Sequence, residues 1–301
     1  LVQNKQSAVE ISKLRMAFEE ITGEDLTWFF NQWFLKRGHP ELRVNHGYAN
    51  GTVTLHVQQV QDTLYQPVYR LPVVVTVWQK DRPADYRITI SKADQTFTFP
   101  AADRPSLVKF DSESQLLAQI DEDRTSDELI FQFDHARGYQ QKAEVLGLLQ
   151  NKTTELPVSA LFRNALDDKF WAVRRTALDH LRRYRGPEAG AVRQAVLHLA
   201  TADPAPQVRA QALATLASFS GGNYGATYLG ALSDSSYTVA AAALTMLAKT
   251  SGINALAQAA ALDNTASSVL LVTLADYYAR NGALDQYAWF LRRLPDVPES
   301  D

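Results

Sequence analysis

Apolar residues recur at Val9, Ile11, Leu14, Phe18 and Ile21, preceded by Ser7 and Glu10 at capping-box spacing and followed by Gly23, a pattern that predicts a first helix. A second set, Leu26, Phe29, Phe30 and Trp33, stands at i, i+3, i+4 and i+7, one helical face that Trp28 and Phe34 widen. Thr22 with Asp25 three residues on reads as the capped start of this second helix. Gly38 supplies a left-handed stop and Pro40 forbids continuation. A large aromatic hides about 150–250 Å², so the second helix is expected to be buried on most sides. Residues 1–40 thus form a helical hairpin too short for a core of its own, which must rest on a larger body. His39, between Gly38 and Pro40, is expected to be a hydrogen-bonded turn residue.

From Glu41 the period changes to two. Val53, Leu55 and Val57 alternate with Thr54, His56 and Gln58, Ile88 and Ile90 flank Thr89, and Phe97 and Phe99 flank Thr98. Turn residues at 49–51, 80–83 and 93–95 divide residues 41–115 into about seven short strands, which predicts a small antiparallel β-sandwich. Tyr69–Trp78 is the most apolar strand and is expected to be central, with Pro72 marking a bulge or an exposed edge.

The acidic run 121–127 leads into helices, with Thr125 or Ser126 able to cap the element beginning at Glu128. Over residues 116–301 a pattern then repeats. Asp168, Val173, Arg174, Ala177 and Leu178 match Asp203, Val208, Arg209, Ala212 and Leu213, then Asp234, Val239, Ala243 and Leu244, with a looser copy from Asp263 through Val269. The valines are 35, 31 and 30 residues apart, the period of stacked helix pairs. The spacing D-x-x-x-x-V-R-x-x-A-L resembles HEAT repeats. Each aspartate is expected to start the second helix of a pair, where the helix dipole favours an anion. Ala240 and Leu270 stand where Arg174 and Arg209 stood, so any ladder of arginine salt bridges ends midway and apolar packing holds the far repeats. The tail from Pro295 to Asp301 is expected to be mobile.

Residues 18–42, FEEITGEDLTWFFNQWFLKRGHPEL, resemble the segment that ends the catalytic domain in the zinc aminopeptidase family of aminopeptidase N, the gluzincin metallopeptidases, and its bacterial relatives. The most specific part is W-F-F-x-Q-W at Trp28–Trp33 together with Gly38–Pro40. The Gln-rich strand end Val57–Gln61 and the helical repeats follow in the family's order, so the resemblance covers nearly the whole chain. It implies a multidomain α and β protein: the N-terminal hairpin 1–40 as terminal helices of a catalytic domain, the sandwich 41–115, and a C-terminal HEAT-like all-α solenoid 116–301. Trp28, Phe29, Phe30, Trp33 and His39 would then pack against a catalytic domain upstream in the same polypeptide. Family members remove the N-terminal residue of peptides with zinc held by H-E-x-x-H and a further glutamate. In the family's opening repeat helix, here 131–149, an arginine often sits where this chain has Gln140, so its ion pair is expected to be missing.

Composition narrows the chemistry. With 30 basic and 33 acidic residues, a nucleic-acid surface is not the main business of the chain, and no apolar run reaches the length of about 18 that suggests a membrane span. Without cysteine, disulfides, thiolate zinc sites and cysteine nucleophiles are excluded, and the compartment stays open. The chain begins at Leu1 and first reaches methionine at Met16, which reads as part of a longer protein. Of the six histidines, 39, 46, 56, 135, 180 and 198, no two stand four apart, and G-x-M-E-N is absent, so no catalytic or metal-binding residue is expected within this chain and zinc would belong to the parent enzyme. The run Ser220-Gly221-Gly222-Asn223 lacks the lysine of a phosphate loop, and no G-x-S-x-G elbow occurs.

One basic group remains: Arg174, Arg175, Arg182 and Arg183, with Arg163 and Arg185 nearby. The resemblance implies a helical domain that closes over the active-site cavity, where bidentate arginine suits a peptide's carboxylate end. The structural alternative is that Arg174 bridges to aspartates of adjacent repeats while Arg182 and Arg183 form a solvated face. Two functions follow: the non-catalytic C-terminal region of a zinc-dependent aminopeptidase, spacing and capping its cavity, or a HEAT-repeat interaction scaffold without peptidase activity. A dimer through the exposed hairpin is a third expectation.

Overall fold

A computed structural model of the chain describes residues 8–219, 222–249, 255–282 and 286–296. The chain divides into two compact units, Leu1–Glu128 and Leu129–Asp301.

The first unit opens with α1 (Ile11–Thr22), which Gly23 ends at φ 72° by donating its N–H to the Glu19 carbonyl at 2.8 Å. The second helix, α2 (Thr27–Phe30), widens into a π-helical turn over Asn31–Leu35. Its start differs from the expected cap. Thr22 belongs to α1, donating its hydroxyl to the Phe18 carbonyl at 2.9 Å. The orphan N–H groups of α2 are met instead by Asp25, which accepts from Thr27 at 2.8 Å, and by Glu19 of α1, which accepts from Leu26 at 2.9 Å. Ser7, the expected capping partner of Glu10, lies outside the described residues. The end differs too. The helical turn stops at Leu35 and Lys36 is already extended, so Gly38, at φ 92°, shapes the entry to the first strand rather than terminating a helix.

Seven strands follow: β1 (Glu41–Ala49), β2 (Thr52–Gln59), β3 (Leu71–Gln79), β4 (Arg82–Ile90), β5 (Asp94–Pro100), β6 (Leu107–Lys109) and β7 (Gln119–Glu122). They form two sheets, β5-β2-β1-β7 and β4-β3-β6, whose inner faces share a core that includes Val44, Leu55, Val57, Val75, Val77, Ile90 and Phe99. Asn50 and Gly51 take the positive φ values, 49° and 76°, that a two-residue hairpin turn of this twist requires. β3 is central, and Pro72 lies where only β4 pairs with it, because β6 reaches no further than Thr76. Two expectations are corrected. β7 runs parallel to β1, Leu42 facing Ile120, so the sandwich is not wholly antiparallel. The strands also extend past residue 115, taking Asp121 and Glu122 from the acidic run read as a bridge.

The hairpin is fixed to the sandwich by a polar side chain in the π turn. Gln32 is buried, donates its Nε2 to the Arg70 carbonyl at 3.1 Å, and accepts the Arg70 N–H on Oε1 at 2.7 Å. Trp33 packs on Tyr69 with ring centroids 5.7 Å apart, and the Arg70 guanidinium lies 4.4 Å from the Trp28 ring.

The second unit is helical. With α3 (Ser126–Asp134) leading in, its helices are α4 (Tyr139–Leu149), α5 (Leu156–Ala165), α6 (Trp171–Leu181), α7 (Ala189–Ala202), α8 (Pro206–Leu216), α9 (Gly225–Ala231), α10 (Tyr237–Lys249), α11 (Leu256–Ala260), α12 (Ser268–Asn281) and α13 (Tyr287–Arg293). Helices α4, α6, α8, α10 and α12 are successive neighbours, and α5, α7, α9 and α11 pair with the even helix that follows each. Val173, Ala177, Leu178, Val208, Ala212, Leu213, Val239, Ala243 and Leu244, the repeated apolar positions, are all buried in one core, where small alanines allow close approach. Of the tail, Pro295 and Asp296 complete a single 3₁₀ turn, and residues 297–301 lie outside the described residues.

Replacing Gln32 by methionine keeps the volume and leaves both Arg70 peptide groups unpaired, which is expected to cost about 1–3 kcal/mol. A thermal melt followed by circular dichroism checks this, and a Tm within experimental error of the parent chain would contradict the role given to Gln32.

Candidate functional site

The outer side of the hairpin is an exposed apolar surface. α1 buries none of its residues, leaving Ile21 85%, Met16 61% and Phe18 50% exposed. On the adjoining turn, Leu35 is 66% and Phe34 50% exposed. The expected aromatic group is therefore divided. Phe30 is buried, stacked on Phe34 at 4.9 Å and beside Phe18 at 6.5 Å, while Trp28 and Trp33 are half-buried against the sandwich and Phe29 faces out. The expectation of a helix buried on most sides is not met within this chain. His39 is exposed, and its turn is held by the His39 N–H donating to Gln66 Oε1 at 3.2 Å. Beside this face a groove of about 530 Å³ is lined by Trp28, Phe29, Trp33, Phe34, Arg70 and Leu116 among others.

The second unit carries an ionic ladder. Asp168, Asp203 and Asp234 each accept, on Oδ1, the N–H two residues on, from Phe170, Ala205 and Ser236 at 2.9, 2.8 and 2.8 Å, at the entrances of α6, α8 and α10. Each also receives a cation from the preceding even helix. Arg174 grips Asp203 with Nε and Nη2 at 2.7 and 2.8 Å, and Arg209 grips Asp234 at 2.8 and 2.7 Å. The remaining guanidinium nitrogen, Nη1, reaches back to the carbonyl of the previous aspartate, Asp168 for Arg174 and Asp203 for Arg209, at 2.8 Å in both. Lys142 of α4 supplies the cation to Asp168. Lys142 stands two residues beyond Gln140, the position where an arginine was looked for. Its distance in sequence to its aspartate, 26 residues, falls between the 25 and 29 of the arginine rungs, a signal that was present in the sequence. At the fourth position, after Ala240 has replaced arginine, Asp263 accepts from the Tyr278 hydroxyl at 2.6 Å.

Electrostatics agree with these contacts. Burial pushes the Asp234 carboxyl up, but the Arg209 guanidinium and the Ser236 N–H outweigh it and hold the group below the ordinary carboxylate value. The bond to Asp203 raises Arg174 further above its usual range.

The four arginines expected to act together do not. Arg174 is buried and all its nitrogens serve the ladder. Arg175, Arg182 and Arg183 are exposed. Arg182 lies 3.6 Å from Asp179, whereas among the described residues Arg175 and Arg183 have no carboxylate partner. Nearby, Arg163 pairs with Glu188 at 2.8 Å and Arg185 donates to the Tyr184 carbonyl at 2.9 Å.

A further pair was not anticipated. His46 of β1 meets Glu128 at 2.7 Å, and the other Glu128 oxygen accepts from the Thr125 N–H and hydroxyl at 2.9 and 2.8 Å, completing a capping box at the start of α3. The bond to Glu128 raises the imidazole pKa against the opposing effect of burial, with the Glu122 and Asp123 charges adding to the rise. Glu128 is pushed up by burial but held below its ordinary value by His46 and Thr125. Among the described residues, no three His, Asp or Glu side chains gather as a metal site, and no helix is long and apolar enough to cross a membrane.

No protein-family model and no curated protein matches the chain. Among solved structures it is similar to the crystal structure of Legionella pneumophila aminopeptidase A in complex with aspartic acid, at a TM-score of 0.66 and 13% identity, over 98% of this chain. The chain spans 41% of the length of that protein. At this identity the likeness concerns the fold.

Removing Arg174 strands the Asp203 carboxylate, whose side chain is only 1% exposed. Arg174→Ala is expected to destabilise the helical unit by about 3–5 kcal/mol, whereas Arg174→Met with Asp203→Leu recovers most of that loss. Urea denaturation of the three proteins checks the order. His46, with its raised pKa, contributes stability fully below its ordinary 6.5 and loses it as pH rises through the folded value, while Glu128 contributes above its ordinary 4.5 and loses it as pH falls. The pair should therefore stabilise most between those two values. In an NMR titration the His46 midpoint is expected above 6.5, and Glu128→Gln should lower it.

Proposed function

We propose that this chain is the non-catalytic C-terminal region of a zinc-dependent aminopeptidase of the aminopeptidase N kind. In this reading the hairpin docks on an upstream catalytic body of the same polypeptide. The sandwich spaces the helical, HEAT-like unit, and that unit limits which peptides reach the metal. The observation that carries the proposal is the bare amphipathic helix α1, which has an apolar face and no buried residue. Contiguous exposed apolar surface of this kind marks a contact with another body. One further fact supports it: the chain's fold is similar to part of an aminopeptidase, spanning 41% of that protein's length. Zinc and the catalytic residues would then lie outside this chain.

Within the helical unit, the exposed Arg175, Arg182 and Arg183 would meet a peptide's carboxylate, Arg174 being committed to the ladder. The alternative, a scaffold for protein interaction without peptidase activity, draws on the stacked helix pairs and their extended surface.

The test is made on the complete polypeptide. An upstream reading frame with H-E-x-x-H and a downstream glutamate is expected, and a full frame without them favours the scaffold. Ile21→Asp with Phe34→Asp should lower peptide hydrolysis at least about tenfold, the equivalent of 1.4 kcal/mol, and weaken zinc retention. Arg175→Ala, Arg182→Ala and Arg183→Ala should raise KM for peptides with a free carboxylate but not for amidated ones. Unaltered kinetics in all of these would reject the proposal. The isolated chain is expected to bind no zinc and to cleave no peptide.

A further inference from the structure

The outermost strand of the three-stranded sheet is β4, which has β3 on one side and, among the described residues, no strand on the other. Gln79 and Arg82 close the two-residue turn Lys80-Asp81, and such a closing pair is hydrogen-bonded. Hydrogen-bonded pairs alternate along an antiparallel ladder, so Arg82, Ala84, Tyr86, Ile88 and Ile90 spend their backbone groups on β3. The N–H and C=O groups of Asp85, Arg87 and Thr89 therefore point away from the sheet, and Pro83 adds a carbonyl without an N–H. The side chains of Arg82, Pro83, Asp85, Arg87 and Thr89 are all exposed.

An open edge of nine residues attracts another strand unless charge or proline blocks it. Here the charges select a partner. In an antiparallel pairing of β4 with itself centred on Tyr86, Asp85 stands opposite Arg87 of the second copy and Arg87 opposite its Asp85. Centring one residue either way sets Asp85 against Asp85 or Arg87 against Arg87, which like-charge repulsion opposes. In the centred register Pro83 falls opposite Thr89, at the ends of the pairing, so the missing donor costs nothing in the middle. Asp85 has one oxygen on the Thr76 hydroxyl at 2.6 Å, which leaves the other, and Arg87 has no carboxylate partner among the described residues.

We propose that β4 is a homodimer edge: two copies of this chain pair antiparallel through β4 about Tyr86, joining their three-stranded sheets into one six-stranded sheet. A two-fold axis makes the contact isologous, so each substitution acts twice. The inference is independent of the function proposed above.

Sedimentation equilibrium on the chain over a concentration series, at low and high salt, tests it. Self-association that weakens with salt is expected. Arg87→Asp should weaken it about tenfold or more, since two attractive pairs become repulsive, while Asp85→Arg with Arg87→Asp should restore it to within about threefold. Amide exchange adds residue-level detail: the N–H groups of Arg87 and Thr89 should slow as concentration rises. Wild-type circular dichroism spectra establish that each variant is folded. A monomer at every concentration overturns the proposal. Association indifferent to Arg87→Asp but abolished by Ile21→Asp also overturns it, assigning the contact to the hairpin. Protection of the Arg87 and Thr89 amides that is independent of concentration does so as well.

Discussion

The helical unit depends on a carboxylate made to do two things at once. Each ladder aspartate turns the chain into the second helix of its pair by accepting a backbone N–H, and holds a cation from the helix pair before, an arginine gripping both carboxylate oxygens of Asp203. Either duty alone would leave buried charge poorly compensated. Together they satisfy the carboxylate and fix the distance between consecutive pairs, because the guanidinium spans one aspartate's carbonyl and the next aspartate's oxygens. The alanines at the repeated core positions are small enough to tolerate that distance.

The first unit solves a different problem. Its hairpin is too short to form a core and has apolar residues on more than one side, so the sandwich takes only part of it. Gln32 is what divides the two sides. By pairing with both peptide groups of Arg70 it sets which aromatics face Tyr69 and which face away. The outward surface is then a consequence of inward hydrogen bonding.

Much of this was legible in the sequence because it is local. The repeated Asp and Val-Arg spacing located α6, α8 and α10 and the aspartates at their entrances, and the alternation around Val53–Val57 and the Asn50-Gly51 turn located β1 and β2. What escaped depended on partners distant in sequence. Lys142 lies outside the Val-Arg motif, and only its carboxylate 26 residues on identifies it as a rung. A buried glutamine looks like any polar helix residue until Arg70 is placed beside it. β7 has a single apolar residue, Ile120, so its strand character comes from β1 rather than from its own alternation. The four arginines looked equivalent because proximity in sequence does not reveal burial: Arg174 turns inward and its neighbours do not.

The hydroxyl at the end of the ladder has a thermodynamic meaning of its own. Tyr278 satisfies Asp263 from within the same helix pair, so among the described residues no ladder cation ties that pair to its predecessor. In a linear array, cooperativity is only as strong as its weakest neighbour coupling. The array is accordingly polarised in its ladder rungs, which run from α4 to α10, and melting is expected to begin toward α12 and to run back until it meets the Arg209 rung.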